Sequence, residues 1–439
     1  MNRLYSNVLK NAIMPLADRV MHTNIMHYYR ALKKMGQWSK EDIYNWQLEK
    51  LKDLFEYSYN NTDYYKELFD NINIKPKDIN SIDDLSKFPI LTKKLIRDNQ
   101  LKLISKEIDS LYYIKSATGG STGDPMIYLQ DNSSWSVCNA NNIIHWERTG
   151  YRYGDKFIAL GSTSLFINKQ ASFKHIIYYK LKNKIALSGI NMSDEVCNDY
   201  CELIRERKIN YIYGYASSIY LLAKYVLNNN INLNIKSCFP TSEVLKDVYR
   251  ETIKNAFNCN IIDCYGANDG GITAFSHAEG FYEVGYNCIV RIEDPDEDGK
   301  GAALLTDLFN YAMPFINYEI GDIIQINPSV NKEYKYNGQI INQILGRTSE
   351  LIKLGNGRIL TGPGFTILFK DIPVDYYCIE KVNDYSIICW LIKLPLFNEE
   401  HEKLIYETLR KQCGKEITIL IKETDKPFLS PSGKALYFK

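Results

Sequence analysis

Between residues 156 and 266 the chain alternates short apolar runs with helical patterns, and this alternation restricts the fold more than any other feature. The runs "KFIALGS" (156–162), "YIYGY" (211–215), "IKSCFPTSE" (235–243) and "NIIDCYG" (260–266) are strand-like and end in small or turn-forming residues. Among them lie "SSIYLLAKYVLNN" (217–229) and "LKDVYRETIKNAF" (245–257), whose apolar residues recur at helical spacing. Strands alternating with helices predict α/β layers. Thr241 or Ser242 is positioned to cap the second of these helices.

The flanks read differently. Upstream, Ser39 with Asp42 three residues on marks a helix start. The helix runs to about Tyr59 and gathers Ile43, Trp46, Leu51, Leu54 and Phe55 on roughly one face. Short helices follow, joined by turns at Lys75-Pro76 and Phe88-Pro89. From "EDPDEDGKG" (293–301) onward the pattern is hairpin-rich. The acids from Glu293 to Asp298 read as a solvated turn, since EF-hand spacing is absent. Beyond "GRTSE" (346–350), strand-like "DYYCIEKV" and "YSIICWLIKL" precede a helix from about Asn398 to Gln412 and the strand "EITILIKE". At 439 residues the chain is long for one core, so we divide it into 1–345 and a compact α+β unit, 346–439.

Charge and composition exclude several classes. Fifty-three basic residues against fifty-two acidic leave a net charge of +1, which gives no electrostatic reason for a nucleic-acid partner. No apolar run is long enough to span a bilayer, and the first thirty residues lack a secretory pattern, so a cytoplasmic protein is expected. The ten cysteines are scattered without a CxxC pair and read as reduced, packed thiols. His145, His175 and His277 show no metal-binding spacing with Cys264 or Cys288, so no zinc site is expected.

One loop stands apart. "KSATGGSTGDPM" (115–126) concentrates glycine, serine and threonine, which turn sharply and present backbone N–H and hydroxyl donors to phosphate oxygens. It lacks the lysine of a Walker A loop and the spacing of a dinucleotide fingerprint. Alone, it fits a flexible surface loop as well. Further polar turns follow in "SCFPTSEVL" (237–245), "IIDCYGANDGG" (261–271), "LLTDLFNYAMPFINYEIGD" (304–322), "ILGRTSELI" (344–352) and "SPSGKALYFK" (430–439).

Taken in order, and with "FPILTKKLIRDN" ahead of the loop, these segments resemble the adenylate-forming (acyl-CoA synthetase-like) superfamily across nearly the whole chain. The resemblance is to its phenylacetate–CoA ligase branch, including the capsule-associated CapK-like proteins. It implies a large multilayer α/β domain with a small mobile α+β domain. It also implies a cytoplasmic ligase that activates a carboxylic acid with ATP and Mg²⁺. The acyl group then passes from the acyl-adenylate to an acceptor: the CoA thiol, an amine or a sugar. A role in cell-surface polysaccharide assembly goes with the CapK-like branch. An aryl- or arylacetate–CoA ligase of catabolism, or a nucleotide-binding scaffold without catalysis, are the other readings. A small-molecule acid and its acceptor are the expected partners, and a homodimer is compatible with all of this.

The resemblance also assigns roles. Thr118, Gly119, Gly120, Ser121, Thr122 and Gly123 wrap the β- and γ-phosphates. Asp124, where many members carry Lys or a neutral residue, points away or sits near magnesium. Thr241, Ser242 and Glu243 fall where the family lines the adenine pocket, although a strand end and helix cap explain "TSE" as well. In "YGANDGG", Tyr265 stacks on adenine beside Gly266. Asn268 and Asp269 replace the family's Thr-Glu, with Asp269 keeping a carboxylate for magnesium. Asp322 of "YEIGD" accepts hydrogen bonds from the ribose hydroxyls, and Asn317 replaces the usual Arg before the tyrosine. Arg347 contacts ribose or phosphate; Ser349 replaces the usual hinge residue, with Glu350 beside it. Arg358 is a phosphate or CoA contact, or equally a surface residue on a strand turn. Lys434 of "SGK" is the catalytic lysine that reaches the α-phosphate on closure; by itself "SGK" would read as an exposed tail.

Overall fold

The computed structural model describes residues 3–118, 126–161, 178, 180–189, 192–278, 281–327, 335–347, 351–356, 358–361, 369, 372–429 and 435–439. Its central sheet runs, from edge to edge, Ile340–Ile341, Phe281–Val284, Ile272–Ala278, Asp263–Ala267, Ser237–Thr241, Tyr211–Tyr215, Phe157–Gly161 and Lys184–Ser188. The half from Lys184–Ser188 to Asp263–Ala267 is parallel, and the remainder is antiparallel. Lys184–Ser188, a half-buried edge strand, is not among the predicted apolar runs, but the other parallel strands of this order, Phe157–Gly161, Tyr211–Tyr215, Ser237–Thr241 and Asp263–Ala267, fall on them. They read as continuous apolar segments because both of their faces are covered.

Alternate residues along each strand feed two cores. Ile158, Leu160, Ile212 and Cys238 pack beneath the helices Asp194–Arg207, Ala216–Asn228 and Asp247–Phe257. Ala159, Tyr211 and Phe239 face the other way, where Trp146 of the helix Asn132–Glu147 stacks on Phe239 with ring centroids 4.4 Å apart. This second core continues into the N-terminal helices. The helix Lys40–Asn61 begins in the predicted capping box, with Ser39 Oγ accepting from the Asp42 N–H at 3.1 Å and the Asp42 carboxylate accepting from the Ser39 N–H. Its buried stripe includes Gln47, which the apolar pattern did not reveal; the Gln47 amide donates to the Tyr286 carbonyl at 2.9 Å.

A second, antiparallel sheet orders Cys288–Ile292, Lys300–Asp307, Tyr318–Gln325 and Gln343–Arg347. The acidic stretch before Lys300 is exposed, as expected of a solvated turn. The C-terminal sheet joins Val374–Asn383, Ser386–Lys393 and Thr418–Glu423, with the helix Glu399–Cys413 packed on it through Ile405, Leu409 and Cys413. The last residues lie along Val374–Asn383: the Ile379 N–H donates to the Tyr437 carbonyl at 2.9 Å, and the Lys439 N–H to the Ile379 carbonyl at 3.0 Å. One expectation fails locally. The helix Asp247–Phe257 has Lys246 as its N-cap without a side-chain cap, so neither Thr241 nor Ser242 performs that role. Thr241 instead ends its strand buried, and Ser242 takes a left-handed φ of 67°. Among the described residues no helix is long and apolar enough to cross a membrane.

Candidate active site

The strands Tyr113–Ala117 and Ile127–Asp131 form an antiparallel hairpin around the glycine loop. Thr118 extends this pairing. Its N–H donates to the Met126 carbonyl at 2.9 Å, and its hydroxyl accepts from the Met126 N–H at 3.1 Å. The hydroxyl therefore helps close the base of the loop. Gly119, Gly120, Ser121, Thr122, Gly123 and Asp124 lie outside the described residues, as do Ser349, Glu350 and Lys434. His175 lies outside them too.

Two tyrosine–carboxylate pairs join the two large sheets. Tyr265, on Asp263–Ala267, donates its hydroxyl to Asp322 Oδ2 at 2.6 Å. Tyr318, on Tyr318–Gln325, donates to Asp269 Oδ2 at 2.8 Å. Each pair links "YGAND" to "YEIGD", so residues 49 and 57 positions apart in the chain meet at one place. Tyr318 was not singled out in the sequence, although it opens the "YEIGD" motif. Register sets Asp322 opposite Arg347 across the neighbouring strand, while the Arg347 side chain is outside the described set. Asp322 is buried, Asp269 and Tyr265 are half-buried, and Gly266 and Asn268 are exposed.

The turn after Asp269 is tightly confined. Gly271 has φ of 62°, and a Cβ there would lie 2.1 Å from the Asp307 carboxylate. Only glycine combines that backbone with that clearance. Asp307 accepts from the Ser134 hydroxyl at 2.6 Å and the Phe309 N–H at 3.0 Å, and burial pushes its carboxyl up to about 6. Asp269 offers a hard oxygen donor held in orientation by Tyr318, and among the described residues no hydrogen bond falls on its Oδ1. That donor fits a divalent cation such as magnesium.

Other predicted residues have different surroundings. Glu243 spans two elements: Oε2 accepts from the Ser217 N–H at 2.8 Å, and Oε1 from the Ala435 N–H at 3.4 Å. Asn317 is part of the scaffold, with φ of 56°; its amide donates to the Phe88 carbonyl at 3.0 Å and its oxygen accepts from Arg291 at 2.9 Å. Asparagine tolerates that backbone better than the arginine expected from the family. Exposed Arg358 donates to the Lys411 and Gln412 carbonyls at 2.9 and 3.0 Å, at the C-terminal end of the helix Glu399–Cys413. This favours its surface reading.

Folding brings together two histidines that show no metal-binding spacing in the sequence. His145 and His277, far apart in sequence, meet with Nδ1 and Nε2 2.8 Å apart, and Glu283 joins them. Burial holds both imidazoles in the neutral form: His145 falls well below its ordinary value and His277 to about 4, with Arg148 adding to the effect. Glu283 is also clamped by the Arg148 guanidinium. The cluster thus offers potential metal ligands, one of which already has a cationic partner.

The fold is shared with a CoA ligase of solved structure. The structure aligns with 2-hydroxyisobutyryl-CoA ligase in its postadenylation state in complex with 2-HIB-AMP, at a TM-score of 0.67 and 15% identity, over 90% of this chain and 88% of the other. In sequence the chain is similar to CapK and to phenylacetate–CoA ligases. It is 25% identical to Protein CapK of Staphylococcus aureus over 416 residues, 93% of this chain and 91% of that one. It is 24% identical to the phenylacetate-coenzyme A ligase of Pseudomonas putida over 346 residues, covering 73% and 74%. No family model matches the chain.

Proposed function

We propose that this protein is an adenylate-forming ligase that joins a carboxylic acid to AMP and then hands the acyl group to an acceptor nucleophile. The observation that carries the reading is the pair of contacts Tyr265–Asp322 and Tyr318–Asp269, which bring carboxylates from two distant motifs together where the two large sheets meet. ATP lies with its ribose hydroxyls on Asp322, whose charged oxygens accept them strongly. Tyr265 covers the adenine, and Ser242, Gly266 and Asn268 border it. Glu243, with both oxygens engaged by backbone N–H groups, fixes the walls on that side. Thr118 and the glycines and hydroxyls from Gly119 to Gly123 hold the β- and γ-phosphates. Arg347 contacts ribose or phosphate.

Asp269 would hold magnesium, which neutralises phosphate charge when bound. The substrate carboxylate attacks the α-phosphorus, and the bond to pyrophosphate breaks. Lys434, on the unit 346–439, stabilises the charge that gathers on the α-phosphate and the leaving group. In the second step a nucleophile attacks the acyl carbon and AMP leaves with the former carboxylate oxygen. The acceptor is the CoA thiol, an amine or a sugar, and the CapK-like resemblance of the sequence motifs points to a place in cell-surface polysaccharide assembly. ATP–pyrophosphate exchange against a panel of acids tests the first step, and acceptors supplied one at a time test the second. Nucleotide binding without exchange for any acid would leave a scaffold instead.

A further inference from the structure

The C-terminal sheet is seated on the ATP-side domain through a lysine held among tyrosines. Lys246 precedes the helix Asp247–Phe257, three residues beyond Glu243. Its ammonium lies 4.2 Å from the ring centroid of Tyr437, 5.0 Å from Tyr377, 5.5 Å from Tyr249 and 5.7 Å from Tyr376. Only Tyr249 shares its side of the contact. Tyr376 and Tyr377 lie on Val374–Asn383, and Tyr437 lies on the terminal tail. The Tyr437 ring is 5.3 Å from that of Tyr377, and the Tyr376 hydroxyl donates to the Leu436 carbonyl. The cation therefore attracts sheet and tail together. Two further contacts cross the same seam: the Lys224–Asp375 ion pair at 3.2 Å and the Ala435 N–H on Glu243. Ala435 directly follows Lys434 in the chain.

We propose that Lys246 is a positioning residue for the adenylation step: by drawing Tyr376, Tyr377 and Tyr437 onto the start of the helix Asp247–Phe257, it seats residues 435–439, which directly follow Lys434 in the chain, against that helix and Glu243. The role is exerted through the tail, without contact to the reacting atoms. It rests on the ligase reading for its effect on rate, but the seating itself does not.

The test uses the full chain with Lys246→Ala, Lys246→Met and Lys246→Arg. Methionine keeps length without charge, and arginine keeps the cation. Hydrogen exchange read by mass spectrometry, without ligands, follows peptides covering 243–249, 374–381 and 435–439. We expect these peptides to exchange about tenfold faster in the Ala and Met variants and at the wild-type rate in Arg, with the rest of the chain unchanged. Unchanged exchange in Ala and Met overturns the proposal, as does faster exchange spread evenly over the molecule. The kinetic arm compares acid-dependent ATP–pyrophosphate exchange with acyl transfer from supplied acyl-adenylate. The Ala and Met variants should lose about tenfold in the first, with ATP affinity and the second rate preserved. Equal loss in both steps counts against a positioning role in adenylation. If the wild type exchanges pyrophosphate with no acid, the ligase reading fails, and hydrogen exchange still decides whether Lys246 seats the tail.

Discussion

Asp322→Ala removes the carboxylate on which the nucleotide assignment depends, and its cost can be worked from the site. Asp322 is buried and already accepts the Tyr265 hydroxyl at 2.6 Å. A carboxylate has room for about four hydrogen bonds, so two ribose hydroxyls would fit beside the tyrosine. Each such bond to a charged group contributes roughly 1.5–3 kcal/mol. Sharing with Tyr265 favours the lower end, so about 3 kcal/mol is lost, which is about a hundredfold in the dissociation constant. The cost to folding is smaller. Tyr265 is half-buried and its hydroxyl can turn to water, so about 1 kcal/mol of stability is at stake. Isothermal calorimetry with ATP and magnesium, paired with a thermal melt of the same sample, separates the two effects. Asp322→Asn should retain part of the affinity, and Tyr265→Phe should change it less than about fivefold, because the phenol only orients the acceptor. A folded Asp322→Ala protein with wild-type ATP affinity refutes the reasoning.

Three further outcomes follow from named groups. Asp269→Asn should raise the magnesium needed for half-maximal adenylation and lower its rate; an unchanged magnesium titration and turnover would remove Asp269 from the metal site. Lys434→Ala should lower acyl-adenylate formation by about 10²–10³ while ATP affinity holds, since the charge it meets develops in the transition state; both half-reactions at wild-type rates would make it a tail residue. Asp307, raised to about 6 by burial, favours its protonated form in the folded state. Its stabilising contribution is therefore full below the unfolded carboxyl value and lost as pH rises from about 4 through about 6. Denaturant titrations should show that Asp307→Asn flattens this part of the stability profile, and an unaltered slope contradicts the assignment.

Much of the fold was legible in the sequence because buried parallel strands leave runs that turn residues punctuate. "YIYGY" and "KFIALGS" contain the strands Tyr211–Tyr215 and Phe157–Gly161. Ser39 and Asp42 mark the helix start because a capping box is local chemistry. Contacts across long separations leave no such trace. Nothing near Tyr318 announces that its hydroxyl meets Asp269, and His145 meets His277 across 132 positions, without any spacing that marks metal ligands. Glu243 could be read as part of a pocket wall, but its bond to the Ala435 N–H depends on how the tail packs. Asn317 looked like a loss from the family pattern. Its left-handed backbone and its bonds to Phe88 and Arg291 give the residue a structural role instead.

The central claim is that a carboxylate attacks the α-phosphorus of ATP. The most direct measurement follows that oxygen. A substrate acid found by pyrophosphate exchange is prepared with ¹⁸O in both carboxylate positions and turned over with ATP, magnesium and its acceptor. Mass spectrometry of the released nucleotide should find AMP carrying one ¹⁸O per acyl transfer, with pyrophosphate unlabelled. Unlabelled nucleotide, or label appearing in inorganic phosphate with ADP as the product, would contradict the account.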